Sequence, residues 1–444
     1  MRLRAAAWFW KIISRETQKN VVHDVVKFHK FIKISYLNKK VSKFYLRRRK
    51  SLTFVLICIS TASNNYLMYN RFILEVSLVL LSVLTLSSCS SPQADTIPTT
   101  DNEVFNRLLR SEALRETIHL DLADVDTIVI GEEQVLGKEL ASDISDPLFL
   151  EFPTTSIAKL DHRLFVIGRN KIYAIDRDGV VRKVVGREGK GPTDFSSILK
   201  IDANSEYLYV LDYGNGRIQQ LDAEMNLTSV TQKALYVSTL RKNFTVSDTH
   251  LYIGLRPPGN SHLVSVYETE DLQNPIGTFW PKIIPDGMQP GPFNAVMMDV
   301  NNDGRLAITN SGLPYLFILN ADHEVERILY FDSAYYRNFD NPSANPVHTV
   351  GNSEATVPGV RIFIHTIRMM DDGSIYFTVK NTLYLLKKQN NSYRLKQGWF
   401  FMHQDPILSE LDPNGIDISG FVIDDEAIFF LSRMGGYVYK AMLD

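Results

Sequence analysis

The chain has 444 residues, 45% of them hydrophobic and 22% charged, with a formal net charge of −2, which is the composition of a globular protein. That total averages two unlike parts: residues 1–67 carry fifteen Lys and Arg against Glu16 and Asp24 alone, whereas residues 89–444 carry 32 bases against 47 acids, a net of −15. So acidic a body excludes general nucleic-acid binding, which needs clustered bases. With Cys58 and Cys89 the two cysteines of the chain, disulfides and cysteine metal sites are excluded beyond residue 89.

Residues 1–67 hold basic clusters such as Arg47-Arg48-Arg49-Lys50 and no sustained helical or strand period. The apolar run within 51–59 is too short to cross a bilayer, which takes about 20 residues. A nucleic-acid-binding tail is one reading of this segment. The simpler one is an upstream extension outside the fold, with translation starting at Met68, because the segment that follows is an export signal and such signals stand first.

Residues 68–88 fit a signal peptide, with Arg71 as the positive start and an apolar stretch over 73–86 despite Glu75. Leu86-Ser87-Ser88-Cys89 resembles the bacterial lipobox. That resemblance implies lipidation of Cys89 and anchoring in a membrane. Ser90, where retained lipoproteins often carry Asp, points to the outer membrane. A transmembrane helix competes with this reading but is interrupted by Glu75, Ser and Thr. Residues 89–115 are expected to be a tether: 90–101 are rich in Ser, Pro, Thr and Asp, and 102–116 look weakly helical.

From 116 to 444 the pattern becomes repetitive. The stretch 176–222 shows it best, with short β-branched and aromatic runs separated by Gly, Asp and Asn, as antiparallel strands joined by tight turns require. Six units are countable. First strands that end in an acidic turn fall at 157–161, 198–202, 244–248, 296–299, 367–371 and 421–424. Second strands begin at 164, 208, 251, 306, 375 and 428, and third strands follow at 172–175, 218–221, 263–266, 316–319, 383–386 and 438–441. The spacing starts at about 43 residues and later insertions stretch it, the range of propeller blades. A lone sheet of this kind cannot bury both faces, and radial stacking covers them. The expected fold is therefore all-β, a six-bladed β-propeller. The last unit lacks a fourth strand, and the strand-like segment 118–130 is expected to supply it and close the ring. A stack of β-sandwiches is the alternative, weakened by the lack of a linker after residue 130.

Gly186-Arg-Glu-Gly-Lys-Gly-Pro-Thr-Asp-Phe195, followed by Tyr209-Val-Leu-Asp-Tyr-Gly-Asn-Gly-Arg-Ile218, resembles the six-bladed propeller lipoproteins of Bacteroidetes, relatives of NHL-repeat propellers. The likeness covers roughly 116–444 and is strongest between 157 and 225. It implies the propeller fold and leaves activity open.

Each candidate site has a plain structural reading beside it. Gly189-Lys190-Gly191 lacks the spacing and the hydroxyl of a phosphate loop and reads as an inter-blade turn, with Arg187 and Lys190 free to project as ligand contacts. Asp212, Asn215 and Arg217 resemble the Asp-x-x-Asn-x-Arg of NHL blades and read as local cement; a pocket role is kept for Tyr213 and Arg217. Asp299, Asn301 and Asp303 have calcium-loop spacing, but Asn310 stands where a bidentate Glu belongs, so a hairpin turn competes with a calcium ion there. Long insertions at 281–292, 334–359 and 403–419 suit a functional rim, and 334–359 offers Tyr335, Tyr336 and Arg337 as ligand contacts. No nucleophile–base order or histidine metal spacing is recognisable.

These features point to a lipid-anchored module at the cell envelope, periplasmic or surface-facing, that binds a protein, peptide or carbohydrate, or acts as a scaffold. The alternative is an NHL-like propeller enzyme, a lyase or hydrolase with its site in the central funnel, because fold alone does not fix chemistry.

Overall fold

The computed structural model describes residues 100–136, 156–168, 170–231, 243–254, 262–283, 294–310, 313–333, 347–349, 356–358, 364–379, 381–405, 409, 414–425, 427–432 and 437–443. Cys89, the expected extension and the expected signal peptide lie outside them. So do Tyr335, Tyr336 and Arg337.

The described chain opens with helix α1 (Glu103–Leu109) and three short strands, β1 (Arg115–His119), β2 (Val125–Ile130) and β3 (Val135–Leu136). Asn102 caps α1 by accepting from the Phe105 amide at 3.0 Å, which satisfies one of the unpaired donors of the first turn. The expected tether therefore ends early. From Thr100 the chain is anchored, with Asn106 bonded to Thr100 through three hydrogen bonds. Phe105 is fully buried between Trp280 and Phe317, at 6.0 and 5.3 Å between ring centroids.

Six blades follow. Blade 1 comprises β4 (Ile157–Leu160), β5 (Arg163–Ile167), β6 (Ile172–Ile175) and β7 (Val181–Val185), and blade 2 β8 (Ile198–Ala203), β9 (Leu208–Asp212), β10 (Arg217–Leu221) and β11 (Leu227–Val230). Blade 3 holds β12 (Phe244–Val246), β13 (His250–Gly254), β14 (His262–Glu268) and β15 (Pro275–Pro281). Blade 4 is built from β16 (Val296–Val300), β17 (Leu306–Asn310), β18 (Tyr315–Leu319) and β19 (Val325–Asp332). A two-stranded hairpin, β20 (Val347–Thr349) and β21 (Thr356–Pro358), precedes blade 5, which is β22 (Ile364–Met369), β23 (Ile375–Val379), β24 (Thr382–Gln389) and β25 (Ser392–His403). Blade 6 contributes β26 (Ile418–Asp424), β27 (Ala427–Ser432) and β28 (Val438–Met442). The first strands are the inner ones, and each touches the next in a closed circle, β26 returning to β4. The protein is a six-bladed β-propeller.

Closure differs from the expectation in one respect. Residues 118–130 do not form the missing strand of blade 6. Instead β1 adds in parallel to the outer edge of blade 4, pairing Arg115 with Ile328 through His119 with Asp332. In the same way β2 adds to blade 5, from Val125 with Gly398 to Ile130 with His403. The closing strand is β3, antiparallel to β28 through Val438–Leu136 and Tyr439–Val135. The leading segment thus runs along three successive blades as a belt before it zips the ring, and the belt covers the edges of blades 4 and 5, which would otherwise present unpaired backbone groups.

Core packing lies between blades. Phe401, Phe430 and Tyr439 fill the blade 5–6 seam with Ile130 of the belt, and Phe331 and Phe377 pack in a tilted pair, 4.8 Å between ring centroids, between blades 4 and 5. At the seam where the ring closes, the buried Asp424 of blade 6 accepts from Lys159 Nζ at 2.5 Å and from Arg177 at 2.7 and 2.9 Å, both of blade 1.

Candidate functional site

Strand direction alternates within a blade, so turns between first and second strands and between third and fourth strands lie on one face. The strand ends that lead from one blade to the next lie on the other. The first kind are tight, such as 161–162 and 176–180; between blades the sequence separations are longer, from 12 residues at 186–197 upward. The strand ends that these long connections join surround the start of the inner strands, at one mouth of the axis.

The axis itself is charged. Register identifies equivalent positions: opposite Phe165, Tyr209, Tyr252, Ala307, Tyr376 and Phe429 stand Ala158, Asp202, Thr245, Asp299, Arg368 and Val422. Arg368 reaches from blade 5 across the axis to Asp202 of blade 2 at 3.0 Å and to Asp299 of blade 4 at 3.1 Å. Asp299 also accepts from the Met369 amide at 2.7 Å, and Thr245 of blade 3 lies 3.4 Å from it. Four blades are therefore clasped by one layer. Burial alone would raise the Asp202 carboxyl, but the Arg368 and Lys200 charges outweigh it and hold it below the usual carboxylate range. Burial likewise pulls on the Arg368 guanidinium, and the Asp299 and Asp202 carboxylates overcome it, so the group is raised.

Two residues earlier on the inner strands, toward the mouth with long connections, stand Lys200 and Thr366. Lys200 is 4% exposed and its Nζ has no hydrogen-bond partner among the described residues. It lies over the Phe244 ring, 5.8 Å from the centroid. Burial pushes its pKa down, against the attraction of Asp202 and Asp299. Oδ2 of Asp202 and Oγ1 of Thr366 are likewise buried and unfilled. Buried polar atoms normally have partners, and these three, at adjacent levels of one axis, have none among the described residues.

The residues singled out from the sequence fall elsewhere, with one exception. Asp212, fully buried, accepts from the Ser196 and Ser197 amides, from Asn215 at 2.7 Å and from Arg217 at 3.1 Å. Arg217 then donates to the carbonyls of Lys190, Gly191 and Asp194, and Asn215 to that of Gly189. The motif fastens the 186–195 turn onto blade 2. Gly186 sits at φ 110°, and a Cβ there would meet Asn170 O at 2.5 Å and the Phe195 ring at 2.6 Å, so glycine is required. Arg187 pairs with Asp194 at 2.8 Å, while the Lys190 side chain is exposed on that turn and the Tyr213 side chain on the turn between β9 and β10. The exception is Asp299, which belongs to the axial clasp. Asn301 Oδ1 accepts from the Arg305 amide at 2.9 Å and its Nδ2 faces Met370 O at 3.4 Å, and Asp303 is exposed in the turn. Among the described residues no group of three or more His, Cys, Asp or Glu is gathered for a metal.

Lys200, Asp202 and Arg368 were not singled out beforehand. Their signal was a charge inside an apolar first strand, as in Ile198-Leu-Lys-Ile-Asp202 and Ile367-Arg-Met369, which two-residue alternation alone reads as a solvated side.

No family model matches the chain, and no curated protein does. Among solved structures, the BF0058 protein of Bacteroides fragilis is 12% identical, with a TM-score of 0.40, over 71% of this chain and 87% of its own. Virginiamycin B lyase from Staphylococcus aureus is 13% identical over 64% and 77%, with a TM-score of 0.34. BamB from Moraxella catarrhalis is 11% identical over 65% and 82%, with a TM-score of 0.32. At these values the likeness adds nothing to the ring that the strand pairings already define.

Proposed function

We propose that the protein is an exported, lipid-anchored propeller that binds a ligand at the cell envelope, over the axis on the face of the long connections. One observation carries the reading: Lys200, a buried cation without a hydrogen-bond partner among the described residues, stands at the mouth side of the axial clasp. Burying a charge in this way costs several kcal/mol, and although the Lys200 charge offsets the second carboxylate of the clasp, none of its donors is taken by the described residues. Charge balance alone makes no use of free donors at a buried ammonium, whereas a binding site does. The lipobox-like Leu86-Ser87-Ser88-Cys89 supports the address. Arg187 and Lys190 between β7 and β8, Tyr213 on the turn between β9 and β10, and Tyr335, Tyr336 and Arg337 in the 333–363 connection would supply outer contacts.

Binding is tested by thermal shift of the full chain with neutral saccharides, acidic saccharides and two- to four-residue peptides, on wild type and Lys200→Met. A stabilising compound whose effect disappears in Lys200→Met is the expected result. Compounds that stabilise both proteins equally would place binding away from the axis. Turnover of a bound saccharide or peptide would establish the enzyme reading instead. Radioactive palmitate incorporated into the wild type and absent from Cys89→Ala tests the anchor.

A further inference from the structure

The axis holds more than an unpaired cation. Lys200 offers three donors and Asp202 Oδ2 offers an acceptor, both buried and both unfilled, and they stand two residues apart on β8. Thr366 Oγ1, at the Lys200 level on the opposite side, is a further unfilled group that both donates and accepts. The charges already balance: Arg368 and Lys200 against Asp202 and Asp299. An anion entering to pair with Lys200 would leave a net buried negative charge and confront Asp202 Oδ2, and burying an uncompensated charge is costly. A neutral group that accepts from Lys200 while donating to Asp202 leaves the balance intact and fills both atoms. Hydroxyls meet that requirement, and two on adjacent carbons meet it with one oxygen turned to each partner.

We propose that the level above the Arg368 clasp is a subsite for a neutral vicinal diol of a carbohydrate, one oxygen accepting from Lys200 Nζ and its neighbour donating to Asp202 Oδ2. This rests on the ligand-binding reading and narrows its chemistry. It leaves Arg368 and Asp299 as positioning residues, which hold Asp202 in place without touching the ligand.

The test uses the full chain and isothermal titration with glucose, galactose, mannose and maltose as neutral diols, glucuronate as the anionic counterpart and glycylglycine as the amide counterpart. Expected is binding of at least one neutral sugar, weakened roughly tenfold or more in Lys200→Met, as loss of a hydrogen bond to a charged group implies, and less in Thr366→Val. Glucuronate is expected to bind no tighter than glucose. Lys200→Met keeps the clasp, so its fold can be checked by circular dichroism before titration. Tighter Lys200-dependent binding of glucuronate, or of glycylglycine, would overturn the diol while leaving an axial ligand site in place. If no probe of any class binds, and a crystal soaked in sugar shows only ordered water at Lys200, both the diol and the axial site fall.

Discussion

Two levels of one axis, separated by two residues along the inner strands, treat buried charge in opposite ways. In the lower, Arg368 meets two carboxylates from two other blades within 3.1 Å and the Met369 amide completes Asp299. In the upper, Lys200 is as deeply buried and meets none. Guanidinium presents a rigid fork that can bridge two partners, while ammonium is a compact point charge on a flexible stem. The comparison teaches that the lower level ties blades together, whereas the upper level keeps a buried cation whose donors no described residue takes.

Breaking the lower level should have the largest effect. Arg368→Met strands two buried carboxylates and is expected to cost about 3–5 kcal/mol, read as a lower denaturation midpoint with unchanged slope. A loss under about 1 kcal/mol would mean that water already shares the clasp. Next comes the belt, which lies outside the axis altogether. Phe105→Ala empties a fully buried ring site between Trp280 and Phe317 and should cost about 3 kcal/mol. Limited proteolysis should then cut first within 100–115.

The upper level should respond much less. Burial outweighs the carboxylate attraction on Lys200, but its removal leaves Arg368 alone against Asp202 and Asp299, so the two effects oppose and Lys200→Met is expected to change stability by less than about 1 kcal/mol, while weakening stabilisation by the proposed ligand. The pH dependence follows. The folded-state pKa of Lys200 lies below its unfolded value of 10.5, so its penalty is complete at low pH and is relieved as pH rises from the folded pKa toward 10.5. The wild type should therefore gain on Lys200→Met with rising pH. Tyr209, Tyr252 and Tyr393, raised to about 12 by burial, contribute stability that is lost as pH climbs from 10 through 12, equally in both proteins. A difference between the two proteins that stays flat up to pH 10 would contradict the assignment.

The smallest effect concerns calcium. Asp299 is held by Arg368 and the Met369 amide, and Asn301 Oδ1 by the Arg305 amide. Millimolar calcium should therefore move the melting temperature by less than about 1 °C, since stabilisation by a ligand grows only with its concentration over Kd. A larger rise would establish the calcium loop.

Much of the fold was legible because first, second and third strands repeat a hydrophobic phrase that every blade must bury. The closing strand was not. Val135–Leu136 is two residues long and follows Gly131-Glu-Glu-Gln134, with too little alternation to register, whereas 118–130 alternates well because β1 and β2 really are strands. Parallel addition to an outer edge leaves no mark on the sequence, since it depends on backbone pairing and not on the identity of the edge residues. At the axis the difficulty was different. Arg368, Asp202 and Asp299 lie 69 or more residues apart in sequence, and only closure of the ring makes them neighbours. Arg217 was legible as cement, because Asp212, Asn215 and Arg217 act locally within one blade.

A double-mutant cycle between Arg368 and Asp202, with Arg368→Met, Asp202→Asn and the pair compared by chemical denaturation, tests the cross-axis clasp most directly. Residues on blades 5 and 2 meet only if six blades close around one axis. A coupling energy of about 1–3 kcal/mol is the expected result. Additivity within about 0.5 kcal/mol would contradict it.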